Sequence, residues 1–188
     1  MVQNLIKGTV LYHGSYCEVQ KPELAKCRKF KDFGQGLYLT TDIAQAEKFA
    51  ITSLKRAKKD GLVTENQKNA FVTCYTYNPT ENDNVMIFKE ADVDWLHCIV
   101  AHRKKNSFPE IIKMMKEYDI IGGKIANDAT NATIIAYIAG TFGENGSSVA
   151  DEICIRLFLP ERLKNQYCFR TEQSLSHLVF EGSRKVYE

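Results

Sequence analysis

Short β-rich segments stand towards both ends of this chain with a largely helical stretch between them, a distribution that points to a mixed α+β domain. Strand character runs over Thr9–His13, Gly36–Thr40, Phe71–Tyr77 and Val85–Phe88, and returns at Gln166–Arg170, Leu178–Phe180 and Lys185–Tyr187. Between the second and third of these, Ile43, Ala46, Ala50, Leu54 and Ala57 recur at helical spacing. Thr41 or Asp42 is placed to cap that helix, and Asp60-Gly61 to end it. Val93, Leu96, Ile99 and Val100 predict a second helix, and Glu110–Tyr118 a third with Pro109 in its first turn. Asp119–Gly123 reads as a short buried strand and turn. Ala129–Ile138 and Val149–Phe158 read as helices on either side of a glycine-rich loop, Gly140–Gly146.

The longest uninterrupted apolar run is Ile134–Ala139, far short of the ~20 residues a membrane helix needs. The N-terminal residues have no secretory apolar region, so the cytoplasm is the expected compartment. No repeat, low-complexity tract or long Pro/Gly/Ser linker interrupts the 188 residues, and residues 1–188 are read as one domain. With 25 Lys+Arg against 23 Asp+Glu, total charge gives no argument for a nucleic-acid coat or a membrane-surface binder. Six cysteines lie far apart without a C-x-x-C pair, which predicts neither a zinc site nor a disulfide framework but mostly buried, reduced thiols.

Three short motifs stop before they become sites. Asp32-Phe33-Gly34 matches the magnesium-binding tripeptide of protein kinases, but no kinase glycine loop or catalytic loop accompanies it. Gly122-Gly123-Lys124 lacks both the earlier glycine and the following hydroxyl of a phosphate loop, and reads as a turn. Gly34-Gln35-Gly36 precedes a strand rather than a helix, the wrong context for a dinucleotide fingerprint. His97, His102 and His177, each taken alone, read as surface or capping histidines.

Leu11-Tyr12-His13-Gly14-Ser15, then Phe33-Gly34-Gln35-Gly36-Leu37-Tyr38-Leu39-Thr40, then a helix carrying Phe49, form an ordered set. This order and spacing resemble the donor site of the ADP-ribosyltransferases, in their diphtheria-toxin-like and poly-ADP-ribose-polymerase branch. The late segment Asn165–Arg170 resembles that family's strand that opens with glutamate, with Gln166 in the glutamate's place. The T-T-D-x-x-Q-A start of the first helix and the Gln166–Leu175 segment resemble a little-characterised bacterial group of transferase-like proteins, often encoded beside small regulatory partners. Motif-bearing stretches cover about a third of the chain.

The resemblance implies a split β-sandwich with helices packed around it, NAD as co-substrate, no metal, and a catalytic set of His13, Tyr38 and Gln166. Breaking the nicotinamide–ribose bond builds positive charge on the sugar, so the site must hold the ring flat, fix the ribose and stabilise that charge. Tyr38 and Phe49 would sandwich the cationic ring. Gly14 would offer its backbone N–H and C=O to the carboxamide, His13 a hydrogen bond to a ribose hydroxyl, and Ser15 a further polar contact. Arg28, in the basic run Lys26, Arg28, Lys29 and Lys31, would pair with the pyrophosphate.

Gln166 keeps the glutamate's hydrogen bond but not its charge, so chain elongation is not expected, whereas single transfer remains open. Glu172, on the same strand face if the strand continues, would lie about 20 Å away. Asp128 reads as an N-cap of the following helix. The expected activity is mono-ADP-ribosylation of a macromolecular acceptor, protein in preference to nucleic acid, in a toxin-like effector with a small regulatory or antitoxin partner. Lys55, Arg56, Lys58, Lys59 and Arg103–Lys105 are the clusters that would touch a nucleic acid. The alternative is a catalytically silent module that binds NAD or ADP-ribose.

Overall fold

The computed structural model describes residues 2–126, 128–158 and 163–188, without the side chains of residues 128 and 129. Two sheets carry the fold. The first is antiparallel with order β1-β3-β7, from Val10–Ser15, Asn69–Tyr77 and Leu178–Tyr187. The second has order β2-β6-β5-β4, from Leu37–Leu39, Asn165–Phe169, Ile120–Lys124 and Val85–Ile87, with only β4 and β5 parallel. Among the described residues six α-helices pack around them: α1 (Ile43–Lys59), α2 (Val93–Arg103), α3 (Pro109–Met115), α4 (Asp128–Ile138), α5 (Ser148–Phe158) and α6 (Glu172–Ser176). None is long and apolar enough, among the described residues, to cross a membrane.

Strand alternation builds the layers. Leu11, Tyr75 and Tyr77 of the first sheet and Leu37, Leu39, Tyr167 and Phe169 of the second share one core, so the sheets pack face to face. The outer face of the first sheet is covered by α1, whose Ala46, Ala50 and Leu54 meet Ala70 and Val72. The outer face of the second is covered by α2, α4 and α5, through Trp95, Ile99, Ile134, Cys154 and Cys168 among others. The order is therefore helix, sheet, sheet, helices.

Local chemistry explains the element ends. Asp42, not Thr41, caps α1 by accepting the Gln45 N–H at 3.1 Å. Gly61, at φ 68°, closes its far end while Leu62 N–H reaches the Ala57 carbonyl at 2.9 Å. Gly14 is where α1 lies closest to β1: a Cβ there would stand 2.1 Å from the Ala46 carbonyl oxygen and 2.7 Å from the Ala50 nitrogen. Both are backbone atoms that no rotamer change can move. Gly14→Ala is expected to lower stability by about 3 kcal/mol, the upper end for overpacking, read as a shift of the urea midpoint at unchanged slope. A wild-type midpoint would remove Gly14 as the closest approach of helix and strand.

Several sequence expectations need correction. Gly122-Gly123-Lys124 is not a turn but the end of the fully buried β5. A side chain at Gly122 would meet Ile87 and Tyr167, and one at Gly123 would meet Phe33 and Trp95, so the glycines serve packing. Leu178–Phe180 and Lys185–Tyr187 are one strand, which follows β3 along its length past an irregularity at Cys74/Tyr75. Glu172 does not continue the strand of Gln166. It opens α6 behind the Thr171 cap and accepts the Leu24 N–H at 3.1 Å. The third helix ends at Met115, before Tyr118. Asp128 opens α4, but its side chain lies outside the described residues.

The histidines are also less exposed than expected. His97 bonds Asp151 at 2.9 Å and stacks on Phe108 at 4.4 Å between centroids. His102 Nδ1–H donates to the Cys98 carbonyl at 2.8 Å. His177 is buried against Asp83 at 2.8 Å, so all three fasten loops or helix ends to the body of the protein. All six cysteines are free; Cys98, Cys154 and Cys168 are buried, Cys27 and Cys74 half-buried and Cys17 exposed.

Candidate active site

Among the described residues the two sheets pair edge to edge at one bridge, Tyr12 with Thr40. Tyr12 N–H donates to the Thr40 carbonyl at 2.8 Å and Thr40 N–H returns the bond at 3.0 Å. Continued in antiparallel sense, that pairing sets His13 opposite Leu39 and Gly14 opposite Tyr38, but the strands part there and a cavity of about 730 Å³ opens. Peptide groups alternate sides along a strand, so Gly14 shares the direction of Tyr12 and turns its N–H and C=O away from β3, towards this opening. The glycine thus serves twice, its bare α-carbon under α1 and its peptide edge on the cavity.

His13, Gly14, Ser15, Tyr38, Phe49 and Gln166 all line that cavity. His13 Nδ1–H donates to the Tyr38 carbonyl at 2.9 Å, the group that would otherwise have paired with Gly14. Because a carbonyl only accepts, Nδ1 carries the proton and Nε2 is left as an acceptor. Burial lowers the imidazole's affinity for a second proton, against the smaller opposing pull of the Tyr38 carbonyl, so the ring is neutral at pH 7.

Tyr38 stands on the helix side of its sheet, directly across from Cys168. Its hydroxyl donates to the Gly34 carbonyl at 2.8 Å and accepts the Phe33 N–H at 2.9 Å. The hydroxyl is tied both as donor and as acceptor, which fixes the ring as a rigid wall of the cavity. Burial, aided by neighbouring Cys168 and Asp32, holds the hydroxyl protonated far above its ordinary value. Phe49 projects from α1 at the mouth, 41% exposed, and so presents an open aromatic face. Gly34 is at φ 85°, where a side chain would be strained and would strike His102, and this allows the tight turn beneath the Tyr38 hydroxyl.

Gln166 is buried on β6, and its Nε2 donates to Asp32 Oδ2 at 2.8 Å and to the Lys124 carbonyl at 3.4 Å. Asp32 is the residue that sequence reasoning missed. Its Oδ1 accepts from Arg103 Nε at 3.0 Å and from Nη2 of the same guanidinium, and its Oδ2 also accepts the Ala126 N–H at 3.3 Å. Arg103 Nη1 goes on to Asn131 Oδ1 at 2.8 Å. One side-chain network therefore joins the loop before β2, β6, α2 and α4. The available signal was position, since Asp32 directly precedes the Phe33-Gly34 pair already singled out.

Arg28 lines the cavity but does not stand free in it: it pairs with Asp60 at 3.0 Å, both groups about half exposed. Lys31 and Arg56 also line the cavity, close enough for the Arg56 charge to act on Lys31. Burial, then the nearby Arg56, lowers the Lys31 ammonium's proton affinity, so the pair gathers positive charge and favours an anion. Phe30, 58% exposed at φ 57°, carries Lys105 above its ring at 5.6 Å. Among the described residues, the cavity-lining acids are Glu23, bonded to Lys26 at 2.7 Å, and Asp32, bonded to Arg103. Among the described residues, no group of three or more His, Cys, Asp or Glu is placed to hold a metal ion.

The arrangement can flank a flat ring, accept and donate hydrogen bonds at Gly14, His13 and Gln166, and hold an anion along Lys31 and Arg56. Comparison with curated proteins and with solved structures returns no match. The model of a family described as a protein of unknown function, DUF3990, matches residues 9–180, and the chain belongs to that family.

Proposed function

We propose that this protein is a mono-ADP-ribosyltransferase that takes NAD into the cavity where the two sheets part and transfers ADP-ribose to a macromolecular acceptor. One juxtaposition carries the reading: His13, Tyr38 and Gln166, from three strands far apart in sequence, line a single cavity with Gly14, Ser15 and Phe49. The face-to-face sheets that separate at this cavity support the split-sandwich reading of the fold.

In this reading the nicotinamide lies between Tyr38 and Phe49, its carboxamide on the peptide edge of Gly14. His13 Nε2 accepts from a ribose hydroxyl, and the diphosphate follows Lys31 and Arg56, with Arg28 in reach once it leaves Asp60. The bond between ribose C1′ and the ring nitrogen breaks and nicotinamide leaves with the electron pair. A lone pair of the acceptor closes on C1′, and the acceptor's proton passes to solvent.

A second reading has its own support. Among the described residues neither acid lining the cavity carries a free charge, and Gln166 brings none, so a silent module that binds NAD or ADP-ribose is the alternative. Label transfer from biotin-tagged NAD to a bacterial lysate separates the two, with His13→Ala as control and separate protease and nuclease digestion. The transferase predicts label that falls at least about a hundredfold in His13→Ala, the scale of one lost transition-state hydrogen bond. The digestion that removes the label gives the acceptor class. Saturable NAD binding without label or nicotinamide release would establish the silent module instead.

A further inference from the structure

Gln166 is the weak point of any mechanism at this site, because an amide has two chemically opposite ends and could turn either one to the cavity. The neighbours decide which. Nε2 faces a carboxylate oxygen at 2.8 Å and a backbone carbonyl at 3.4 Å, two groups that only accept. Rotating the amide would put its oxygen against both. Oε1 is therefore held on the other side, towards the cavity that Gln166 lines.

We propose that Asp32 is the positioning residue of this site, locking the Gln166 amide so that a fixed acceptor, Oε1, meets the ligand. The proposal rests on the NAD reading for the identity of that ligand, a ribose hydroxyl. Asp32 can do this because it is itself immobile: Arg103 takes Oδ1, while Ala126 N–H shares Oδ2 with Gln166. Asn131 holds the third arm of the guanidinium. The network delivers the geometry of the glutamate that the resemblance leads one to expect, with the negative charge set one side chain back and already paired.

Polarity reversal tests this. In Asp32→Asn the new amide keeps its oxygen on Arg103 and turns its NH₂ to Gln166, which must rotate and offer the cavity a donor. Nicotinamide release under saturating NAD should fall about a hundredfold. Adding Gln166→Glu restores an acceptor against that NH₂, and D32N/Q166E should recover at least about tenfold over D32N, with the change in kcat rather than KM. A purely structural role for Asp32 would not be rescued by a carboxylate at 166. A folded double variant no more active than D32N overturns the proposal.

A readout free of NAD chemistry separates this proposal from the functional reading. The Gln166 side-chain amide protons, assigned by their loss in Q166E, should exchange slowly in the wild type and rapidly in Asp32→Ala. If the wild-type protein releases no nicotinamide, the transferase reading fails while this exchange difference still upholds the positioning role; equal exchange rates overturn it. Should both Asp32 variants fail to fold, Q166E alone decides, because it keeps the Asp32–Arg103 pair. Its new carboxyl titrates above the ordinary range if it lies against Asp32, and an ordinary value refutes the contact.

Discussion

Arg103→Met is expected to cost about 3–5 kcal/mol of stability, because it leaves the Asp32 carboxylate buried without its counter-charge. The pair is well enclosed, with 18% of the arginine side chain and 10% of the aspartate exposed. Enclosure makes an isolated carboxylate expensive, and the packing of methionine does not replace the lost bonds. In thermal unfolding the loss corresponds to roughly 10 °C in a chain of this size. Arg156→Met is the matching control: its partner Glu152 is one helical turn away, and both side chains are more than half exposed. That change should leave the melting temperature essentially unmoved. Equal small shifts in both variants would mean that Asp32 is solvated and that the network described for the site does not hold it.

On the proposed transferase reading, the Arg103 variant should also lose NAD turnover beyond what its folded fraction explains, since Asp32 then has no fixed position from which to hold Gln166. Arg103→Lys keeps the charge but not the two parallel donors that meet one carboxylate oxygen, and should fall between wild type and methionine on both measures.

How far the sequence reached depends on which physical signal each feature leaves. Helix α1 was legible because its buried positions, Ala46, Ala50, Leu54 and Ala57, recur at helical period beside a capping aspartate. β5 was legible as a strand but not in its ending. Glycines at Gly122 and Gly123 suggest a turn locally, and only the side chains of Ile87, Tyr167, Phe33 and Trp95, all distant in sequence, require them inside a strand. Glu172 was misplaced for a related reason: the Thr171–Ser174 capping box that starts α6 is a weaker local signal than the strand pattern before it.

His13, Tyr38, Phe49 and Gln166 stand out in the sequence only through the order and spacing that carry the resemblance, and the structure gathers them on one cavity. Asp32 and Arg103 were invisible as partners. They stand 71 residues apart, and nothing local distinguishes a buried aspartate that holds a distant amide from one that fills a turn. Arg28 shows the reverse limit, since its basic surroundings suggest a phosphate contact but say nothing of Asp60, which the fold brings to 3.0 Å from it.

Gln166→Glu, which sequence reasoning alone would offer as the simple restoration of a missing carboxylate, is expected to behave differently. The new carboxyl would sit where Nε2 now lies 2.8 Å from Asp32 Oδ2, with Gln166 itself only 5% exposed. Asp32 already accepts from Arg103 and from the Ala126 N–H, so the incoming group takes the proton and donates to Asp32. Burial and the adjacent negative charge both raise its pKa above the ordinary glutamate value of about 4.3.

A carboxyl whose pKa is raised on folding adds no penalty below the unfolded value and loses stability as pH climbs through the folded one. Q166E should therefore match the wild type near pH 4 and fall behind it at pH 8, by about 1.4 kcal/mol for each unit of the raise. NAD hydrolysis by this variant should rise over the same interval as the carboxylate appears, whereas the wild type has no such limb at residue 166. Adding Asp32→Asn removes the charge that held the proton on and should move both transitions down together. Stability and hydrolysis that are flat with pH in Q166E would mean the introduced group never meets Asp32, and the fixed amide of the wild type would lose its explanation.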